Sequence, residues 1–162
     1  MSRVEKLKQK IQELQKELEI EEKKQEFEYP FEENEYYWVI DSFGDVRSIL
    51  WTNDYIDTGR YNQGNSFKTK EEAEHEYDKR ELLTRFRQFR DKCNGDWKAD
   101  FKMHNENKYA LFLTGNNRNF FVDASTTFNH FHLFGYFKDK EDAALAIELF
   151  GDEIRRLFVE VK

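Results

Sequence analysis

Phe67-Lys68-Thr69-Lys70-Glu71-Glu72-Ala73 returns as Phe137-Lys138-Asp139-Lys140-Glu141-Asp142-Ala143, with five of the seven positions identical. Each copy follows an aromatic stretch broken by turn residues, and each opens a helix-like pattern. A supersecondary unit written twice has this signature. The shared residues are helix starters, caps and a strand-end Phe, so the repetition describes a scaffold and not a doubled active site.

Working outward from the first copy, Tyr36-Tyr37-Trp38-Val39-Ile40 predicts a strand from its aromatic and β-branched content. Asp41-Ser42-Phe43-Gly44-Asp45 supplies the turn, and Val46 to Trp51 the returning strand. A polar connection, Thr52 to Gln63, leads to a short third strand over Gly64-Asn65-Ser66-Phe67. Thr69 with Glu72 is a capping box, and the helix it opens is expected to run to about Lys92, with Asn94-Gly95 as its stop. The second copy has the same order: a strand over Lys108 to Thr114, a turn at Gly115-Asn116-Asn117-Arg118, its partner over Asn119 to Ala124, and a third strand over His130 to Phe137. Asp139 is expected to cap a helix that Gly151 ends after Phe150, with Glu153 to Val161 placed only loosely.

Ahead of both copies, Val4, Leu7, Ile11, Leu14 and Leu18 alternate in steps of three and four, the spacing of a helix with one apolar seam. This arm either associates with a second copy or packs on its own domain. In parallel register Arg3 faces Lys8 and Glu17 faces Glu22, both repulsive, whereas antiparallel pairing sets Lys10 against Glu17. Pro30, in an acidic and aromatic linker, is expected to lie beyond the helix end. The expected organisation is a helical arm over 1–26, a linker over 27–35, a first hairpin-strand-helix repeat over 36–95 and a second over 96–162. The fold class is α+β, antiparallel sheet with helices packed on it. Tyr109, Leu111 and Leu113 alternate with Ala110 and Phe112, so that strand expects cover on both faces.

Composition narrows the function. With 36% charged and 17% aromatic residues, the chain is built around a few large rings in a polar envelope. No apolar run approaches a membrane span, and the start Met1-Ser2-Arg3-Val4-Glu5-Lys6 is unlike a signal peptide, so a cytoplasmic protein without membrane association is expected. The lone Cys93 excludes an internal disulfide and reads as a small buried hydrophobe. A net charge of -7 argues against coating duplex DNA by general basicity.

Candidate sites are few. Lys79 to Lys92 carries Lys79, Arg80, Arg85, Arg87, Arg90 and Lys92 against Glu81 and Asp91, a basic helix suited to phosphates or an acidic protein surface, or simply solvated. Trp38, Trp51 and Tyr55 are the rings expected to be partly exposed for binding. His130 and His132 share one face of the expected third strand, but no third metal ligand has recognisable spacing. Asp41, Asp45, Asp54 and Asp57 surround the first hairpin, where Asp more often serves the backbone than a metal or an acid-base step. No catalytic residue, metal or cofactor is expected.

The run from Tyr37 to Val46, then Trp51-Thr52-Asn53-Asp54, Asp57, Arg60, Gly64-Asn65, Phe67-Lys68-Thr69 and Glu71-Glu72-Ala73-Glu74, resembles a family of small phage and prophage proteins of Gram-positive bacteria. The likeness extends to the carboxyl terminus and departs at Phe43, where that family more typically has Asp or Asn. The resemblance implies no residue roles. It implies a setting in which small non-enzymatic proteins bind and block host machinery, including CRISPR nucleases. Two readings follow: a stoichiometric inhibitor of a host defence protein acting by protein contact, or a small nucleic-acid-binding regulator using the helix over 79–92.

Overall fold

The computed structural model describes residues 3–25, 29–115 and 119–160. In chain order the elements are α1 (Arg3–Gln25), β1 (Tyr36–Ile40), β2 (Val46–Leu50), α2 (Tyr55–Asn62), α3 (Lys70–Asn94), β3 (Lys108–Leu113), β4 (Phe120–Ser125) and α4 (Lys140–Phe158). The fold is α+β: β1 pairs antiparallel with β2, and β3 with β4, as separate two-stranded sheets. Packing divides the chain into one unit ending at Lys70 and another comprising Ser42–Asp45 and everything from Glu71 onward. The long helix that follows the first heptapeptide therefore belongs to the second packing unit.

The first unit has an aromatic core. Along β1, Tyr37 and Val39 are buried while Tyr36 is exposed, the period-two alternation of a strand with one covered face. Tyr37, Phe31 and Trp51 form a ring triangle with centroids 5.1 to 5.3 Å apart, and Tyr29 adds a fourth ring 5.5 Å from Trp51. The expected linker thus supplies core: Phe31 is buried, and Trp51, expected to be partly exposed, is only 1% exposed. A two-stranded hairpin has too little area to close a core unaided, and these large rings fill it.

The polar connection after Trp51 is in part a helix, a correction to the expected loop. Asp54 caps α2, its Oδ1 accepting from the Ile56 and Asp57 amides at 2.8 and 2.9 Å. The short third strand is also corrected, since it contracts to a single bridge between Trp38 and Phe67. Gly64 has φ +66°, which an extended strand excludes, and the Asn65 side chain replaces backbone pairing by bonding both the amide and the carbonyl of Ile40.

The second unit packs α3 and α4 with the β3–β4 hairpin. Leu82 and Phe86 of α3 meet Ala143, Ala146, Ile154 and Leu157 of α4 in a core that includes Phe137, with Tyr109, Leu111, Phe120 and Val122 packed against it. Phe137 bridges Tyr109, the same relation to β3 that Phe67 has to β1. The expected third strand over His130 to Phe137 otherwise fails to form, because Phe131 and Gly135 take φ of +51° and +73°. Asn94 braces the bridge instead: its amide donates to the Tyr136 carbonyl and accepts from the Lys138 amide, each at 2.9 Å.

Two further expectations change at α4. Asp139 makes no side-chain capping bond, although its carbonyl accepts from the Ala143 amide at 3.3 Å. Gly151 does not end the helix, which continues to Phe158. The reason is packing beyond it: Ile154 and Leu157 are buried in the core and carry the helix past Gly151, where a Cβ would stand in ordinary contact, 3.4 Å from Phe120 Cδ2. The turn residues Asn116, Asn117 and Arg118 lie outside the described residues, as does the junction at 26–28.

Candidate functional site

The alternation in β3 that demands cover on both faces leads to the site. Tyr109 and Leu111 face the helices, whereas Lys108, Ala110 and Phe112 share the opposite face. On that side Lys108 is fully buried, its ammonium donating to the carbonyls of Met103 at 2.6 Å and Glu106 at 2.8 Å, with Thr126 at 3.5 Å. The Phe101 ring lies 5.6 Å below the charge. One ammonium thereby ties the segment after α3 to the start of the loop that follows β4.

That loop, Thr126 to Phe134, presents two strongly exposed rings. Phe128 is 69% exposed and Phe131 87% exposed. Phe131 also holds φ +51°, an unfavourable backbone state for a bulky residue that persists only where neighbours over-determine it. The neighbours are present. Asn129 Oδ1 accepts from the Phe131 amide at 2.9 Å and from the Tyr136 hydroxyl at 3.3 Å, while the Tyr136 oxygen accepts from the His130 amide at 2.8 Å. Ser125 Oγ donates to the Phe128 carbonyl at 2.6 Å, and the Gly135 amide to the His132 carbonyl at 2.9 Å. Beneath the loop, His132 stands edge-on to Phe112 at 4.6 Å and to Tyr136 at 5.3 Å. The loop is a braced platform for two outward rings.

His130 and His132, expected on a strand, are loop residues with ring centroids 5.7 Å apart. Among the described residues no group of three or more His, Cys, Asp or Glu is placed to hold a metal. His132 Nε2 is buried with no hydrogen-bond partner among them. Burial, reinforced by His130, holds its imidazole below the ordinary value. A base with a depressed folded pKa stabilises the fold above its unfolded value, about 6.5, and loses that contribution as pH falls. Amide protection at His130 and Phe131 is therefore expected to drop as pH is lowered below the unfolded value, about 6.5, and His132→Phe, which keeps a ring against Phe112, to abolish the drop. Hydrogen exchange read residue by residue decides this; equal protection at acidic and neutral pH would refute it.

The other expected site residues are placed as follows. Arg80, Arg85, Arg87 and Arg90 all lie on α3, but three are engaged. Arg80 pairs with Glu76 at 2.9 Å, and Arg85 with Glu153 at 2.6 Å. Arg90 is clamped between Asp91 Oδ1 at 2.7 Å and the Phe134 carbonyl at 3.1 Å, and its guanidinium occupies the space where a Cβ of Gly135 would sit. Arg87 is exposed, with no hydrogen-bond or ion-pair partner among the described residues. Arg90 is thus a brace of the aromatic loop. A cleft of about 520 Å³ beside it is lined by Asn94, Trp97 and Tyr136, whose polar groups are already paired within the unit.

In the first unit Tyr55 is exposed, Trp38 is half-buried and Trp51 is core. The carboxylates there are structural: Asp41 pairs with Arg47 at 2.8 Å, Asp54 caps α2, and Asp57 is buried. Cys93 is half-buried, and burial with the nearby Asp142 carboxylate pushes its thiol up, away from nucleophilic use. Val4, Leu7, Ile11, Leu14 and Leu18 lie along α1 at 54% to 60% exposure.

The aromatic loop is the candidate feature that sequence reasoning missed. Its signal was present in Phe128-Asn129-His130-Phe131-His132-Leu133-Phe134-Gly135, whose apolar residues fit a strand, but whose Gly135 takes positive φ and whose Asn129 side chain accepts from the backbone two residues on. No family model, curated protein or solved structure matches this chain. No helix among the described residues is long and apolar enough to cross a membrane.

Proposed function

We propose that this chain is a non-enzymatic binding protein that engages a partner protein stoichiometrically, with Phe128 and Phe131 as its anchors. The observation that carries the reading is Phe131: a large apolar side chain held out in solvent on an unfavourable backbone, in a loop braced from the buried Tyr136 and Ser125. Interface energy concentrates in a few aromatic and Arg anchors, and a braced loop loses little entropy on docking. The resemblance to phage and prophage proteins supports the finer proposal, an inhibitor of a host defence protein such as a CRISPR nuclease, acting in the cytoplasm of a bacterial host. The pairing of Arg80, Arg85 and Arg90 within their own unit weighs against the alternative of a regulator gripping nucleic acid through α3.

Capture from a Gram-positive host extract on immobilised protein tests this, followed by affinity measurement with the purified captured protein. Phe128→Ser with Phe131→Ser is expected to weaken binding about a hundredfold, each anchor contributing upward of 1 kcal/mol. Both rings are exposed, so circular dichroism should be unchanged. Arg80→Gln with Arg87→Gln is expected to bind as the parent does. Co-purified nucleic acid whose binding falls steeply with salt, and is lost in the Arg variant, would overturn the proposal.

A further inference from the structure

Every described residue of α1 from Arg3 to Ile20 is exposed, including the five seam residues. Packing of the apolar face supplies most of a helix's stability in a protein, and the uncovered seam of this 23-residue helix is the kind of surface that a second helix covers. Charge on the flanks of the seam selects the occupant. From this we infer that α1 pairs with α1 of a second copy, antiparallel, in one register: Leu7 facing Leu18 and Ile11 facing Leu14 of the other chain.

The alternatives are worse on the same charges. Parallel pairing opposes Arg3 to Lys8 and Glu17 to Glu22. A second antiparallel register, with Leu7 facing Ile11, pairs Arg3 with Glu17 but sets Lys10 against Lys10 and Lys8 against Lys8 in the middle of the seam. The inferred register places Lys10 of each copy beside Glu17 of the other, twice by symmetry, leaves Lys8 opposite the neutral Gln15, and brings its like charges, Arg3 and Lys24, together only at the helix ends, which fray. It also stacks the four apolar residues between Leu7 and Leu18 into one continuous seam. The inference goes beyond the proposed function and does not rest on it.

Sedimentation equilibrium of the full chain over a wide concentration range tests it. The parent is expected to associate reversibly to a dimer. Lys10→Glu and Glu17→Lys, singly, are each expected to raise the dimer dissociation constant about fivefold or more, and the double variant to return it to the parent's value. Glu17→Lys carries the discrimination, because in parallel pairing it would relieve the clash with Glu22 and strengthen the dimer. A chain monomeric at every concentration, or a dimer strengthened by Glu17→Lys, overturns the inference. Because α1 contributes no residue to either core, these variants should keep the parent's circular dichroism and thermal transition. A monomer that still binds a partner through Phe131 would sink this inference alone.

Discussion

Replacing Lys108 by methionine is expected to destabilise the second unit by about 3 kcal/mol, a large share of the stability of an ordinary domain. Volume is nearly conserved, so a cavity is not the cause. Exchanging a buried ion pair for apolar residues is often harmless, because both charges leave together. Lys108 differs in its partners. The nearest carboxylate, on Glu106, is 3.9 Å away and partly exposed, while the close acceptors are the backbone carbonyls of Met103 and Glu106. Those carbonyls stay when the ammonium goes, and each one left unpaired out of reach of water costs about 1 to 3 kcal/mol. Urea unfolding measures the loss. Hydrogen exchange is expected to place the first loosening at residues 101–108 and 125–128, and with it a weaker hold on the aromatic loop. A variant as stable as the parent would show that water serves those carbonyls equally well.

In the first unit, Asp57→Ala is expected to cost about 3 kcal/mol or more. The Asp57 carboxylate accepts from the Tyr37 hydroxyl at 2.6 Å, the Thr52 amide at 2.7 Å and the Thr52 hydroxyl at 3.0 Å, with Arg60 at 3.7 Å. Removing it strands donors around the buried ring triangle of Phe31, Tyr37 and Trp51. Burial alone would raise the Asp57 carboxyl, but the bonds from Tyr37 and Thr52 outweigh it and hold it below the ordinary value. Stability from this group is therefore complete above its unfolded value, about 3.9, and is lost as pH falls through the lower folded value. Burial, with the bond to Asp57, pushes the Tyr37 hydroxyl up to about 12 against the opposing effect of Arg60. Its contribution is complete below about 10 and lost as pH rises toward 12. Fluorescence in a Trp97→Phe background reports on Trp38 and Trp51 of the first unit. Urea midpoints should be level from about pH 5 to 9 and fall on both sides, and Asp57→Ala should remove the acid limb attributable to this group. An unchanged acid limb in Asp57→Ala would assign it to other carboxylates.

What the sequence disclosed was periodicity; what it hid was competition between side chain and backbone. The hairpins of β1 with β2 and β3 with β4 follow from aromatic and β-branched runs around turn residues, and each lies within a residue or two of its expected place. The long helix α3 ends at Asn94 as its spacing implies. The third strands failed because Asn65 and Asn94 use their amides where backbone pairing was expected, and because Gly64, Phe131 and Gly135 take positive φ. Gly151 misled by being read as a helix stop, when the buried Ile154 and Leu157 beyond it carry the helix on. At the candidate site, local charge drew the eye to α3, yet a sequence cannot reveal that Arg80, Arg85 and Arg90 meet Glu76, Glu153 and Asp91. Exposure of Phe128 and Phe131 is equally a tertiary property.

The single-residue bridges also bear on colloidal behaviour. On the side of β1 away from β2, Phe67 takes both backbone groups of Trp38, and the Asn65 amide takes both of Ile40. A strand whose outer donors and acceptors are consumed in this way offers no template for a further strand, so a concentrated solution cannot grow fibrils along that margin. Two residues take over much of the work of an additional strand, without creating a new margin to protect.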